Sequence, residues 1–295
     1  MSDSSVLPDW PCLVDAPTLA AALDHPDLRL VDARFAAAAL ADPQAAQAAR
    51  QAYAQSHLPG AVYADLNADL SDLSRPGLGR HPLPDADAFA RTLGRWGIAP
   101  HTQVVVYDAG DGSMAAARLW WMLGLLGHRR VAVLDGGLAE WRRLGLSETD
   151  AAATPSPQPP YPGRFDASRI AAAEDVAARL HEAPGWLLDA RAGERFRGEV
   201  EPIDAVAGHV PGALNRPLGQ NLRDGRLRPP QELRAELEPL LHGRDPREVV
   251  LMCGSGVTAC HLLLAMEHAG LHGARVYAGS WSGWIADPSR PRARG

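Results

Sequence analysis

The sequence lacks a basic stripe, lacks any apolar run of bilayer length and has few cysteines, and each shortage removes a class of function. Its 29 Lys and Arg residues are outnumbered by 35 Asp and Glu, for a formal net charge of −6. A phosphate-binding surface needs clustered cations, so a nucleic-acid partner is not expected. The one run of positive charge, Arg290, Arg292 and Arg294, lies at the C-terminus and reads as a frayed, solvated tail. No stretch reaches the ~20 apolar residues of a membrane-spanning helix, so no membrane partner is expected. The opening residues, MSDSSVLPDW, lack the positive and apolar regions of a secretory signal. Cys12, Cys253 and Cys260 make an odd number with no Cys-x-x-Cys pair, which fits neither a disulfide framework nor a zinc site. The expected setting is a reducing cytoplasm, and no metal site is expected.

What the chain does have is length and internal repetition. At 295 residues and 46% hydrophobic it is long enough for two domains with separate cores. LVDAR (30–34) returns as LLDAR (187–191), and HLPGA (57–61) as HVPGA (209–213). QVVVYD (103–108) returns as EVVLMC (248–253), and DGGLAEW (135–141) as AGSWSGW (278–284). Four matches in one order imply a duplicated domain. The copies are separated by AAATPSPQPPYPG (151–163), whose prolines bar a helix or central strand and predict a stiff spacer. The expected domains are therefore 15–148 and 166–287, with a Pro-rich linker over 149–165. The alanine-rich segment from Ala36 to Gln55 reads as a surface helix or an insertion.

Within each copy, short β-rich runs alternate with helical segments. In the second, strands are predicted at Trp186–Leu188, Ala213–Leu214, Val249–Met252 and Arg275–Tyr277. Helices are predicted at Glu174–Leu180, Gln231–Leu241 and Val257–Ala269, the last stopped by Gly270. Alternation of this kind predicts an α/β fold, a parallel sheet in each domain with helices on both faces. Ligands of such sheets collect outside the carboxyl ends of the strands.

Cys253 stands at such an end. The loop CGSGVTAC (253–260) follows an apolar strand and precedes a helix. Gly254 and Gly256 permit a backbone that turns its N–H groups toward the sulfur, and the helix N-terminus adds unpaired donors and a positive dipole end. These features favour an anion at the sulfur and mark Cys253 as a nucleophile. Gly254, Gly256, Val257 and Thr258 are the expected contacts of a bound donor. Cys260, with Leu263 and Leu264 at helical spacing, reads as packing. A cysteine phosphatase needs an arginine six residues after the nucleophile; Ala259 stands there, and the loop holds no cation. The matching residue of the first copy is Asp108, which cannot serve as a sulfur nucleophile. One domain is thus expected to be catalytic and the other not.

The tandem repeat with VDAR, HLPGA, LDGG and a single loop cysteine in the second copy resembles the two-domain rhodanese superfamily, whose domains are rhodanese-like α/β units. The loop CGSGVT resembles the 3-mercaptopyruvate sulfurtransferase type; thiosulfate-type members carry two basic residues where Gly254 and Ser255 stand here. The resemblance implies a ping-pong reaction without metal or organic cofactor. A small-molecule sulfur donor loads a persulfide onto Cys253, and thioredoxin, a small thiol or cyanide removes the sulfur. It also implies a relay of Ser255, His81 (in GRHPLP, 79–84) and Asp65 (in YADLN, 63–67), with His81 reaching across from the first copy. Asn67 is an alternative match to Asp65, and a loop hydroxyl bonded to backbone is an equal reading of Ser255. Arg195 matches the arginine that holds the donor, whereas Arg191, which has a counterpart at Arg34, reads as a structural ion pair. Mercaptopyruvate enzymes usually carry a second arginine further on; the stretch EVEPIDAV (199–206) has none. Thiosulfate as donor stays open on that ground, as does a noncatalytic sulfur-sensing or partner-binding module.

Overall fold

Each repeat folds around five short parallel strands. The computed structural model describes residues 7–35 and 43–295. The reading of residues 1–6 as no signal and the 36–42 portion of the alanine-rich segment lie outside the described residues. The rest of that segment is a helix, Pro43–Gln55.

In the first sheet, β1 (Leu13–Val14), β2 (Leu28–Asp32), β3 (Val62–Tyr63), β4 (Gln103–Tyr107) and β5 (Val131–Leu134) lie in the order β1-β5-β4-β2-β3. In the second, β6 (Ile170–Ala171), β7 (Leu187–Asp189) and β8 (Leu214–Asn215) are followed by a hairpin of β9 (Leu222–Arg223) and β10 (Arg226–Leu227) outside the sheet. β11 (Val250–Met252) and β12 (Arg275–Tyr277) complete the order β6-β12-β11-β7-β8. Strand for strand the two orders are the same, and every pairing within the sheets is parallel. All five residues of β4 are buried, as a central parallel strand with both faces covered requires.

Helices flank the sheets: α1 (Ala16–Ala20), α2 (Pro43–Gln55), α3 (Ala86–Arg95), α4 (Ala115–Leu125) and α5 (Gly137–Arg143), then α6 (Ala173–Ala177), α7 (Gly193–Arg197), α8 (Pro230–Leu237), α9 (Thr258–His268) and α10 (Ser280–Trp284). α4 and α9 are apolar nearly all round and correspondingly buried. Trp141 and Trp284, the same position of the repeat, are both fully buried in their cores. The predicted helix Gln231–Leu241 ends early at Leu237. Pro239 cannot continue an α-helix, and Glu238–Leu241 tightens into a 3-10 turn instead.

The shared motifs have matching structural tasks. Asp32 accepts from the Arg34 backbone N–H and guanidinium, and Arg34 also donates to the Ser56 carbonyl. Asp189, Arg191 and the Gly208 carbonyl repeat the arrangement. Each arginine thus ties the second strand to the residue preceding the HxPGA histidine. His57 and His209 in turn stack on Tyr53 and Phe196 and each bonds that aromatic residue's carbonyl. A buried charge costs free energy unless it is paired, and these pairs and carbonyl contacts satisfy it.

In space, the chain divides into one compact unit of residues up to Leu70 with Pro84–Phe165, and another of Ser71–Leu83 with Asp166–Gly295. His81 therefore belongs to the second unit although it comes from the first repeat. Residues 151–163 form no helix or strand, as their prolines dictate, but they are not a free spacer. Gln158 and Tyr161 donate to the Gly94 and Ala90 carbonyls, and the Tyr161 hydroxyl meets His128 Nδ1 at 2.9 Å. The C-terminal arginine run also departs from expectation. Ala293 exchanges two backbone bonds with His209, Trp284 Nε1 donates to the Pro291 carbonyl, and Arg290 lies over the Trp284 ring. The tail is held because it satisfies backbone groups that would otherwise be left unpaired at the edge of the second unit.

Candidate active site

The loop between β11 and α9 is held from one side by the first turn of α10. The Cys253 and Gly254 carbonyls accept from the Trp281 and Ser282 amides at 3.0 and 2.9 Å, and the Cys253 N–H donates to Ser280 Oγ at 3.0 Å. Gly256 has φ +77, and a Cβ there would lie 2.2 Å from the Ala278 carbonyl oxygen, so glycine is required on two counts. Ser280 itself adopts φ +50, a left-handed conformation uncommon for serine, with its hydroxyl donating to the Tyr277 carbonyl.

The loop brings Cys253 Sγ to 3.2 Å from the Gly256 N–H, which donates to it. Val257 precedes α9, no side chain caps that helix, and the Cys260 amide turns back to the Val257 carbonyl. Thr258 opens the helix, half-buried. The thiol of Cys260 donates back to the Gly256 carbonyl at 3.2 Å from a fully buried position, so it packs and braces the loop. Cys253 is 2% exposed. Ser255 Oγ lies 3.0 Å from His81 Nδ1, and both residues are buried. Among the described residues no three His, Cys, Asp or Glu side chains converge as metal ligands.

Arg195, on α7, and Arg80, beside His81, converge on the same loop. A Cβ placed on Gly254 would lie 3.3 Å from Arg80 Nη2 and 3.6 and 3.7 Å from the two Nη atoms of Arg195. Arg80 Nη1 donates to Asp204 Oδ1 at 2.7 Å, and Arg195 Nη2 donates to Asp204 Oδ2 at 3.2 Å and Glu201 Oε1 at 2.7 Å. Burial opposes ionisation of Glu201. Hydrogen bonds from Arg195 and from the Asp204 and Ile203 amides outweigh that and hold its carboxyl below the ordinary range. Arg191 is committed to Asp189 and packs over the Trp281 ring. Arg197 pairs with Glu199 on the surface.

Asp65 lies in the first unit, where its Oδ1 accepts from the Asn67 and Ala68 amides and closes a turn. Arg80, Glu201, Asp204 and Ser280 were not singled out from the sequence. The available hints were the arginine next to His81 and the acids of EVEPIDAV.

Residues 15–144 and 172–287 each match the Rhodanese-like domain family. The chain is 50% identical over 286 residues to a probable 3-mercaptopyruvate sulfurtransferase of Pseudomonas aeruginosa, covering 96% of this chain and 98% of that one. It is 42% identical over 250 residues to the putative thiosulfate sulfurtransferase SseB of Mycobacterium tuberculosis, covering 83% of this chain and 85% of that one. Among solved structures, SseA of Escherichia coli, described as a 3-mercaptopyruvate sulfotransferase, matches with a TM-score of 0.74 at 33% identity, covering 92% of this chain and 100% of that one. With both repeats matched and nearly the whole length aligned, the chain belongs to the two-domain rhodanese family, of the 3-mercaptopyruvate sulfurtransferase type.

Proposed function

We propose that the chain transfers sulfur from 3-mercaptopyruvate to a thiol acceptor through a persulfide on Cys253. The observation that carries this reading is the Gly256 amide donating to Cys253 Sγ in a loop whose Ser255 is bonded to His81. A sulfur so held suits both the thiolate and the persulfide anion.

In the first half-reaction the Cys253 thiolate attacks the donor's sulfur and the C–S bond breaks. The electron pair goes to carbon, and the mercapto proton's equivalent ends on that carbon, so pyruvate leaves and Cys253–S–S⁻ remains. Ser255 and His81 supply the proton path: with the His81 proton on Nε2, Ser255 donates to Nδ1, and with it on Nδ1 the direction reverses. In the second half-reaction an acceptor thiol takes the outer sulfur as its own persulfide and the Cys253 thiolate returns. Thioredoxin or a small thiol fits that role, and cyanide would leave as thiocyanate. Gly254, Gly256, Val257 and Thr258 form the loop against which the donor binds, and Arg195 meets its carboxylate. A persulfide route through Cys253 needs its thiol kept reduced, which suits a cytoplasmic setting.

Thiosulfate is the second reading, favoured by the absence of an arginine from residues 199–206. Attack on its outer sulfur would release sulfite and leave the same persulfide. The deciding measurement is kcat/KM for both donors, with pyruvate release and a mass gain of about 32 Da on Cys253 after mercaptopyruvate. A higher kcat/KM for thiosulfate would move the assignment to that donor. No adduct from either donor would overturn persulfide chemistry altogether.

A further inference from the structure

We infer that Arg80 and Arg195 together bind the anionic end of the sulfur donor above Gly254, with Asp204 as the residue that positions both. The inference rests on the sulfurtransferase reading. The sequence contains no lysine, so a permanently charged cationic side chain near the loop has to be an arginine. Two guanidinium groups repel one another unless something holds them together. Asp204 does so, taking Arg80 on Oδ1 and Arg195 on Oδ2, and Glu201 adds a second hold on Arg195.

Gly254 marks the space these arginines face. It is not among the glycines of positive φ, so backbone conformation does not demand glycine there. What glycine provides is room: the nearest groups to a Cβ at this position are the Arg80 and Arg195 guanidinium nitrogens. That room adjoins the nucleophile in sequence. The Arg80 atom nearest Gly254 is Nη2, not the Nη1 that Asp204 holds, and Arg80 Nε is buried with no partner. Arg80 is also fixed to the loop through its backbone. Its N–H donates to Ser282 Oγ, and the Ser282 N–H donates to the Gly254 carbonyl. The stretch 199–206, which carries no arginine of its own, thereby contributes the carboxylate that steers one in from residue 80. A carboxylate suits such a pair of planar cations.

The test compares two alkylating agents of similar size on Cys253, anionic iodoacetate and neutral iodoacetamide, by peptide mass spectrometry. In Arg80→Gln the iodoacetate rate is expected to fall about tenfold or more while the iodoacetamide rate stays within about twofold, with Arg80→Lys between. KM for 3-mercaptopyruvate should rise in the same order. Gly254→Ala, which needs no new backbone conformation, should lower the iodoacetate rate selectively by filling the space. An unchanged iodoacetate-to-iodoacetamide ratio in Arg80→Gln, or an equal fall for both agents, would overturn the assignment. The ratio does not depend on the natural donor: an unmodified chain that discriminates for iodoacetate yet gains no sulfur from mercaptopyruvate would defeat the donor reading and leave the anion site standing.

Discussion

The two repeats build the same strand–loop–helix turn and put opposite things in it. After β4, Asp108 folds its carboxylate into its own loop, accepting from the Gly110 and Gly112 amides on Oδ1 and the Met114 amide on Oδ2. After β11, Cys253 takes one amide, that of Gly256, on its sulfur. Both loops are fastened alike, the Asp108 and Cys253 carbonyls accepting from Leu138 and Trp281 at the same point of the repeat. A loop that turns amide groups onto the side chain at its head is therefore a property of the fold, and what distinguishes the second copy is that this side chain is a thiol with the Gly254 space beside it. The first copy fills its loop with a permanent internal ligand.

The largest effect that would break this contrast is exchange of the nucleophile. Cys253→Ser should abolish sulfur uptake, a loss of at least about 10³-fold, because a hydroxyl at neutral pH is a far weaker nucleophile than a cysteine sulfur. Asp108→Cys should gain no sulfur from mercaptopyruvate, measured as the mass of the peptide carrying residue 108. A persulfide there would mean that the loop alone suffices and that Arg80, Arg195, Ser255 and His81 are dispensable.

That distinction sets what was legible in the sequence. The loop and the parallel sheets were readable because repeated motifs report local needs: a buried strand, a glycine turn, an aspartate–arginine pair two residues apart. The partners of the loop were not, because they are brought together by long-range contacts. His81 and Ser255 are 174 residues apart, and Arg80 reaches Asp204 across 124. His81 was reached through family resemblance rather than spacing. Arg80, its neighbour, had no such guide, and a charged residue in a Gly- and Pro-rich stretch reads as surface. The C-terminal arginines misled for the same reason, since composition does not register the His209 backbone to which Ala293 binds.

A second way to sharpen the comparison is to ask what the internal carboxylate of the first loop costs. Burial pushes the Asp108 carboxyl up to about 6, although the Gly112, Met114 and Gly110 amides pull it down. A raised value means the folded state favours the protonated form. Its contribution to stability is complete below about pH 4 and is lost as pH rises through about 6. Asp108→Asn keeps an acceptor oxygen without the charge. Between pH 4 and pH 8 the stability difference between variant and parent should move in the variant's favour by about 2 kcal/mol in urea unfolding, since groups common to both cancel. A flat difference would show that the three amides offset burial and that the loop holds an ordinary carboxylate.

The smallest effect concerns the residue just before each fastening amide. Gly137 in the first copy and Ser280 in the second occupy the same position with nearly the same backbone, φ +54 and φ +50. Glycine adopts that conformation freely and serine does not, so the second copy tolerates strain of the order of 1 kcal/mol to keep a hydroxyl there. The hydroxyl accepts from the Cys253 N–H, which is buried. Ser280→Ala keeps the strain and leaves that amide unsatisfied, so it should destabilise the second unit by about 2 kcal/mol. Ser280→Gly also loses the acceptor but relaxes the backbone, and should cost about 1 kcal/mol less than Ser280→Ala. Both should slow iodoacetamide alkylation of Cys253 to the same degree, because both free the cysteine backbone. If Ser280→Gly matched the parent in stability and reactivity, the strained serine would have no task in the loop, and the two fastenings would be equivalent after all.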